Sequence, residues 1–172
     1  MKLYRAKIPV IAKEVLDRLL ADEDIEIEHE RREEAEKDLS AIMEEFRRRD
    51  MDLRERVREH MAQRNIPYSE FRRTRKALAD GMGHPMGDDI ERFLARQFCE
   101  NMLITPNIEE VYEADSVMYK KVLEVLRSHD VDERQIREEA ASKIKNVAEG
   151  TVDYEIALQS AVKAEKKRRG LI

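Results

Sequence analysis

From Asp22 to Asn65 the chain runs without a glycine or a proline, and its apolar residues there, Ala35, Leu39, Ile42, Met43, Phe46, Leu53, Val57 and Met61, recur at helical spacing. A strand would show alternate residues to opposite faces, so this period suits a helix and not a sheet. The stretch predicts one long helix near residues 29–64, with Asp50 acting as a cap or kink where it interrupts the apolar seam. Ile66-Pro67 stops that helix, because a proline disfavours helical backbone at the residue before it. A third helix through Tyr68, Phe71, Ala77 and Leu78 is predicted to end at Gly81 and Gly83.

The same period accounts for most of the remaining chain. Ile8, Ile11, Val15, Leu16, Leu19 and Leu20 mark a first helix, with Pro9 suited to its opening turn. After the break at Gly81 to Gly87, Ile90, Phe93, Leu94, Phe98, Met102 and Leu103 mark another, ended by Thr105-Pro106. Asn107 with Glu110 reads as a capping box for a helix carrying Ile108, Val111, Tyr112, Val117, Val122, Val125 and Leu126. Asp132 with Gln135 opens the next, continuing through Ile136, Ala140 and Ile144 to Gly150, and Thr151 caps a last helix through Ile156, Ala157 and Val162. Asp24 to Glu28 alternates as a strand would, but one such stretch alone makes no sheet.

The fold class expected is therefore all-α, a helical bundle with two related halves. Shifting the sequence by 83 positions places Ile11 on Leu94, Leu19 on Met102, Ile25 on Ile108, Glu26 on Glu109 and Leu39 on Val122, as an internal duplication would. Residues 1–83 form the first half and 84–172 the second, either sharing one core or standing as two domains. With five glycines, four prolines, no tryptophan and 41% charged residues, composition agrees with helix.

Lys7-Ile8-Pro9, Asp24-Ile25-Glu26-Ile27, Ile66-Pro67-Tyr68-Ser69-Glu70-Phe71 and Gly83-His84-Pro85 occur in this order, followed by Lys143-Ile144-Lys145-Asn146, Glu149-Gly150-Thr151 and Gly170-Leu171. Together they resemble the bacterial domain-of-unknown-function family 507 over essentially the whole chain. The resemblance implies a small cytoplasmic helical protein and brings no substrate, cofactor or catalytic residue with it.

The residues themselves give no catalytic constellation, so the chain reads as a non-enzyme with no cofactor and no metal site. Glu26-Ile27-Glu28-His29 has the Glu-x-x-His spacing of di-iron bundles, but it occurs once, and the position of His29 in the shifted half is Tyr112. It reads as a solvated helix start. Asp50-x-Asp52 and Asp130-x-Asp132 have arginine where a calcium loop needs a ligand, at Arg54 and Arg134, and no glycine follows. His60 lies on an apolar stripe, His84 in the linker, and Cys99 faces the core as a small hydrophobe. Gly81, Gly83 and Gly87 lack the strand and the lysine of a phosphate loop.

A single cysteine and an N-terminus broken by charges suggest the cytoplasm, and no apolar run approaches the length of a membrane span. The net charge of −5 supplies no global basic field for a polyanion. Locally the signs separate. Between Asp22 and Asp38 ten acidic residues face three basic ones, a net of −7, while between Arg47 and Lys76 eleven basic residues face five acidic ones, a net of +6. The candidate contact residues are Arg47, Arg48, Arg49, Arg72, Arg73, Arg75 and Lys76, with Lys166, Lys167, Arg168 and Arg169 as a second basic cluster at the C-terminal end.

Two functions suit this pattern. One is a non-catalytic protein–protein interaction or assembly module, binding a protein partner or a second copy of itself. The other is an RNA- or ribosome-associated factor, using segment 47–76 and the basic C-terminal tail for phosphates and Tyr68 or Phe71 for stacking. No membrane and no small-molecule substrate is indicated.

Overall fold

The chain enters its first helix, α1 (Ile8–Ala21), with Pro9 in the opening turn, where the N–H it lacks would have had no helical partner. The helix closes on Glu23, whose left-handed backbone (φ 58°) lets the Asp24 amide return to the Leu19 carbonyl at 2.9 Å. That turn buries Asp24, and its carboxylate accepts both its hydrogen bonds from Lys121 Nζ, at 2.7 and 2.9 Å. The computed structural model describes residues 1–145 and 147–172. Asn146, the end of the Lys143 to Asn146 segment noted above, lies outside the described residues.

The alternating stretch after Asp24 does find a partner. Strand β1 (Ile25–Glu26) pairs antiparallel with β2 (Glu110–Val111), Ile25 opposite Val111 and Glu26 opposite Glu110. This corrects two expectations, that no sheet forms and that Asn107 caps a helix. The Asn107 side-chain amide instead donates to Asp38 at 2.9 Å, and the Thr105 hydroxyl donates to the same carboxylate. With Ile108 buried in the main cluster, α5 (Asp115–Ser128) begins only after the strand.

Between the strands lie α2 (Arg32–Gln63), α3 (Phe71–Gly81) and α4 (Asp89–Ile104). At 1.5 Å per residue α2 is about 48 Å long. Asp50 neither caps nor interrupts it: the residue sits inside a continuous helix, and its carboxylate accepts from Arg75 at 2.7 Å and pairs with Arg54 at 3.0 Å. Two shorter helices complete the chain, α6 (Glu133–Ser142) and α7 (Val152–Arg168). The caps expected at Asp132 and Thr151 are present, accepting from Gln135 N at 3.1 Å and Tyr154 N at 3.2 Å. Helix α6 stops at Ser142, well short of Gly150, since its buried stripe ends at Ala140.

Three apolar clusters hold these elements. The main one joins α1 (Ile11, Val15, Leu19), the first half of α2 (Leu39, Met43, Phe46), α4 (Leu94, Phe98, Met102) and α5 (Met118, Val122, Leu126), so residues from both sides of the glycine-rich break share it. The second half of α2 packs Leu53, Val57 and Met61 against Ala79 of α3. A third cluster sets Ile136 of α6 against Tyr4 and Leu171, with Val162 of α7 beside them. The order helix, two-residue strand, helix occurs twice, as α1-β1-α2 and α4-β2-α5, although α2 has 32 residues and α5 only 14. Among the described residues no helix is long and apolar enough to cross a membrane.

Because Phe98 is fully buried in the cluster that both sides of the break share, Phe98→Ala is expected to remove about 3–5 kcal/mol of stability. Urea unfolding followed by circular dichroism checks this, with the exposed Lys167→Ala as a control expected to stay within about 0.5 kcal/mol of the parent.

Candidate interaction surface

Helix α2 changes its charge along its length while keeping its buried stripe, so its outer faces differ from end to end. In the C-terminal half, Arg47, Met51, Arg54 and Arg58 follow one another every three or four residues and therefore share a side. They line two adjoining clefts. One, of about 890 Å³, lies between this side of α2, the chain's first residues and Arg75 of α3. The other, of about 700 Å³, lies between α2 and α3, with Met61, Ile66 and Phe71 beneath Arg54, Arg58 and Arg75. Arg54 and Arg75 line both, so the two form one groove.

The groove pairs arginine with exposed apolar surface. Met51 is 61% exposed, and Tyr68 is 82% exposed while its ring stacks on Phe71 at 5.5 Å between centroids. Left-handed backbone at Asn65 (φ 52°) and the extended Pro67 turn the chain sharply from α2 into α3, and this turn places the aromatic pair against the end of α2. Among the described residues Asp50 is the one acidic side chain lining the groove, and two arginines already neutralise it.

Behind Asp50 sits His84, which the sequence placed in a linker. The Gly83 turn (φ 59°) folds it back so that its amide donates to the Ala79 carbonyl at 2.9 Å, and its side chain is fully buried. The imidazole stacks on Phe46 at 5.0 Å, with Nε2 3.5 Å from Asp50. Burial lowers its pKa; Asp50 opposes that, and Arg49 and Arg75 add to it. His84 therefore packs as a neutral aromatic under the groove, joining the main cluster to the α2–α3 unit.

The sequence-predicted cations divide into engaged and outward-facing groups. Arg47 and Arg75 line the groove; Arg47 pairs with Glu44 at 3.3 Å, Arg48 with Glu45 at 2.7 Å and Asp52 at 3.1 Å, and Arg73 with Glu70 at 3.7 Å. Arg49, Arg72 and Lys76 have no carboxylate partner among the described residues, and neither do Arg56, Arg58 and Arg64. Arg54 and Arg58 were not singled out by sequence. Their spacing from Arg47 along one helical side is the signal that identifies them.

In the C-terminal basic cluster three of the four cations are engaged by carboxylates. Lys166 pairs with Glu133 at 2.7 Å, Arg169 bridges Glu139 and Glu165, and Arg168 also holds Glu165. Glu165 is buried and additionally accepts from Lys143, so Lys143, Lys166 and Arg169 tie α7 to α6, while Arg168 pairs with Glu165 within α7. Lys167 alone of the cluster is exposed without a carboxylate partner among the described residues. Local sequence hid this, because Glu133 and Glu139 lie on a different helix.

Nor does the Glu-x-x-His pattern stand on a helix. Glu26 lies in β1, where its carboxylate accepts from the Tyr112 hydroxyl. Cys99 faces the core, and burial, with Asp115 and Glu100 nearby, pushes its thiol up to about 11.

The termini, the β1–β2 pair and the α2–α3 turn thus all contribute to one fold, and a single family profile spans them. The profile described as "Protein of unknown function (DUF507)" matches residues 1–171. The chain belongs to this family. No curated protein matches it at significant similarity. Several segments that carry the resemblance have structural work within the family fold: Pro9 opens α1, Ile66-Pro67 makes the α2–α3 turn, His84 is buried beneath the groove, and Leu171 packs on Tyr4 and Ile136.

Hydrogen bonds from Arg168, Lys143 and Arg169 hold the Glu165 carboxyl far below the usual glutamate range. A carboxyl lowered by folding stabilises fully above its ordinary pKa, and that stabilisation falls away progressively until pH passes the depressed pKa of the folded state. Glu165→Gln is therefore expected to melt below the parent at pH 7, and the gap between the two melting temperatures should begin to narrow only below about pH 4 and go on narrowing as pH falls further. Thermal unfolding followed across pH checks this.

Proposed function

We propose that the chain is a non-catalytic protein-interaction module of the bacterial cytoplasm, and that the α2–α3 groove is its binding face. The observation that carries this is the combination of exposed Met51 and Tyr68 with the guanidiniums of Arg54, Arg58 and Arg75 around one groove. Interfaces favour arginine and aromatic residues over lysine at their centres, and this face has that composition. An occupant that fits must bring carboxylates to the arginines and an apolar side chain to the cleft. An acidic protein surface with apolar side chains at its centre meets both needs.

One observation favours a second reading. Tyr68, stacked on Phe71 and flanked by arginines, also has the form of a platform for an unpaired base, as in single-stranded RNA binding. Because Lys166, Arg168 and Arg169 are engaged by Glu133, Glu139 and Glu165, the support for that reading rests mainly on the α2–α3 face.

A photo-crosslinking residue introduced in place of Tyr68 in living cells separates the two. The expected product is a protein adduct of defined mass that survives nuclease and disappears in an Arg54→Glu, Arg58→Glu double variant. An adduct that shrinks on ribonuclease treatment would transfer the face to the RNA reading.

A further inference from the structure

The groove's occupant can be argued from the rest of the molecule. β1–β2 pairing brings Glu109 and Glu110 beside the acidic stretch that opens α2, which their distance in sequence conceals. Within that end of the molecule Asp24 is held by Lys121, Glu28 by Arg31, and Glu33 and Glu34 by Lys37. Glu23, Glu30, Glu109 and Glu110 are exposed with no cation partner among the described residues.

The acidic end carries its own exposed apolar groups. Ile104 at the end of α4 is 81% exposed, Leu103 53% and Tyr112 62%. They belong to this end because Thr105, the next residue after Ile104, donates to Asp38 of α2, and Tyr112 donates to Glu26 of β1. The molecule thus has two poles of matched character, carboxylates around Ile104 and Tyr112 at one end of α2, arginines around Met51 and Tyr68 at the other.

These poles cannot meet within one molecule, since the continuous helix α2 holds them apart, Asp38 at the acidic pole and Arg54 in the groove being about 24 Å apart along its axis. They can meet between molecules. We infer that the groove's partner is a second copy of this chain, whose acidic pole seats on the basic α2–α3 face; this rests on the interaction-module reading above. Each copy then keeps one pole open, so the contact is heterologous and extends to a ring or a linear series, unless two copies lie antiparallel and close as a pair. Opposite charge steers the encounter, and the apolar groups supply the short-range contact that charge alone does not.

The test is the mass of the full chain by sedimentation velocity, across a wide concentration range, at low and at high salt. Two variants accompany it. One neutralises the acidic pole (Glu23→Gln, Glu30→Gln, Glu109→Gln, Glu110→Gln) and the other the basic pole (Arg56→Gln, Arg58→Gln, Arg72→Gln, Lys76→Gln). All eight side chains are exposed and none has an ion-pair partner among the described residues, so circular dichroism should show both variants folded.

The parent chain is expected to exceed monomer mass at low salt and to approach it at high salt, where screening shortens the reach of charge to about 3 Å at 1 M. Each variant alone should associate roughly tenfold more weakly or worse, four exposed pairs being lost. An equimolar mixture should recover a one-to-one complex, because each variant retains the pole the other lacks.

A parent that stays monomeric under all conditions overturns the inference, and so does association that both variants retain. The crosslink at Tyr68 then separates the failures. A nuclease-resistant adduct with a different protein leaves the interaction-module reading standing without self-association. If a labelled oligouridylate binds the parent and not the basic-pole variant, and no protein adduct forms, both readings fall.

Discussion

One buried stripe on α2 positions everything else. Leu39, Met43 and Phe46 enter the cluster shared with α1, α4 and α5, and further along the same helix Leu53, Val57 and Met61 enter the cluster shared with α3. A helix anchored at both ends cannot rotate about its axis without exposing one apolar set, so the side carrying Arg47, Met51, Arg54 and Arg58 is fixed towards solvent. The arginines lie where they do because the apolar residues next to them in sequence turn the neighbouring side of the helix into the core. Charge on α2 then determines what each end presents, acid at its start and base at its finish, without altering how it packs.

The two ends are completed by different means. At the start, a two-residue antiparallel ladder and the buried Asp24–Lys121 pair bring the segment after α4 against the segment after α1. A buried carboxylate without its cation would be strongly destabilising, so this pair ties α5 to the turn after α1. At the finish, the Asn65 turn and the stacked Phe46–His84 pair set α3 against α2 and shape the groove floor. At the C-terminal helix, Lys166 and Arg169 are instead engaged by Glu133, Glu139 and Glu165.

Sequence carried the helices well, because the apolar period depends only on neighbours within a few residues. The first, second, third and fourth helices, the caps at Asp132 and Thr151 and the buried Cys99 were all legible in this way. What was not legible depends on residues distant in sequence. Asn107 looked like a cap until Asp38 was placed beside it, and Asp50 looked like a kink until Arg75 reached it from α3. Lys166 and Arg169 find their glutamates on α6, far from them in sequence, and His84 looked like linker until the Gly83 turn folded it under Phe46. The candidate face was half visible: Arg47 and Arg75 were named from charge, while Arg54, Arg58 and the acidic partners at Glu109 and Glu110 required the fold.

The central claim is that α2 holds two complementary poles that meet between molecules. Hydrogen–deuterium exchange of the full chain, compared between dilute and concentrated samples at low salt, reads this most directly. The account predicts added protection on concentration in two places together, around residues 54–76 and around residues 103–113 with the first turns of α2, both lost at high salt. Protection that rises only on α6 and α7, or on one pole without the other, would contradict it.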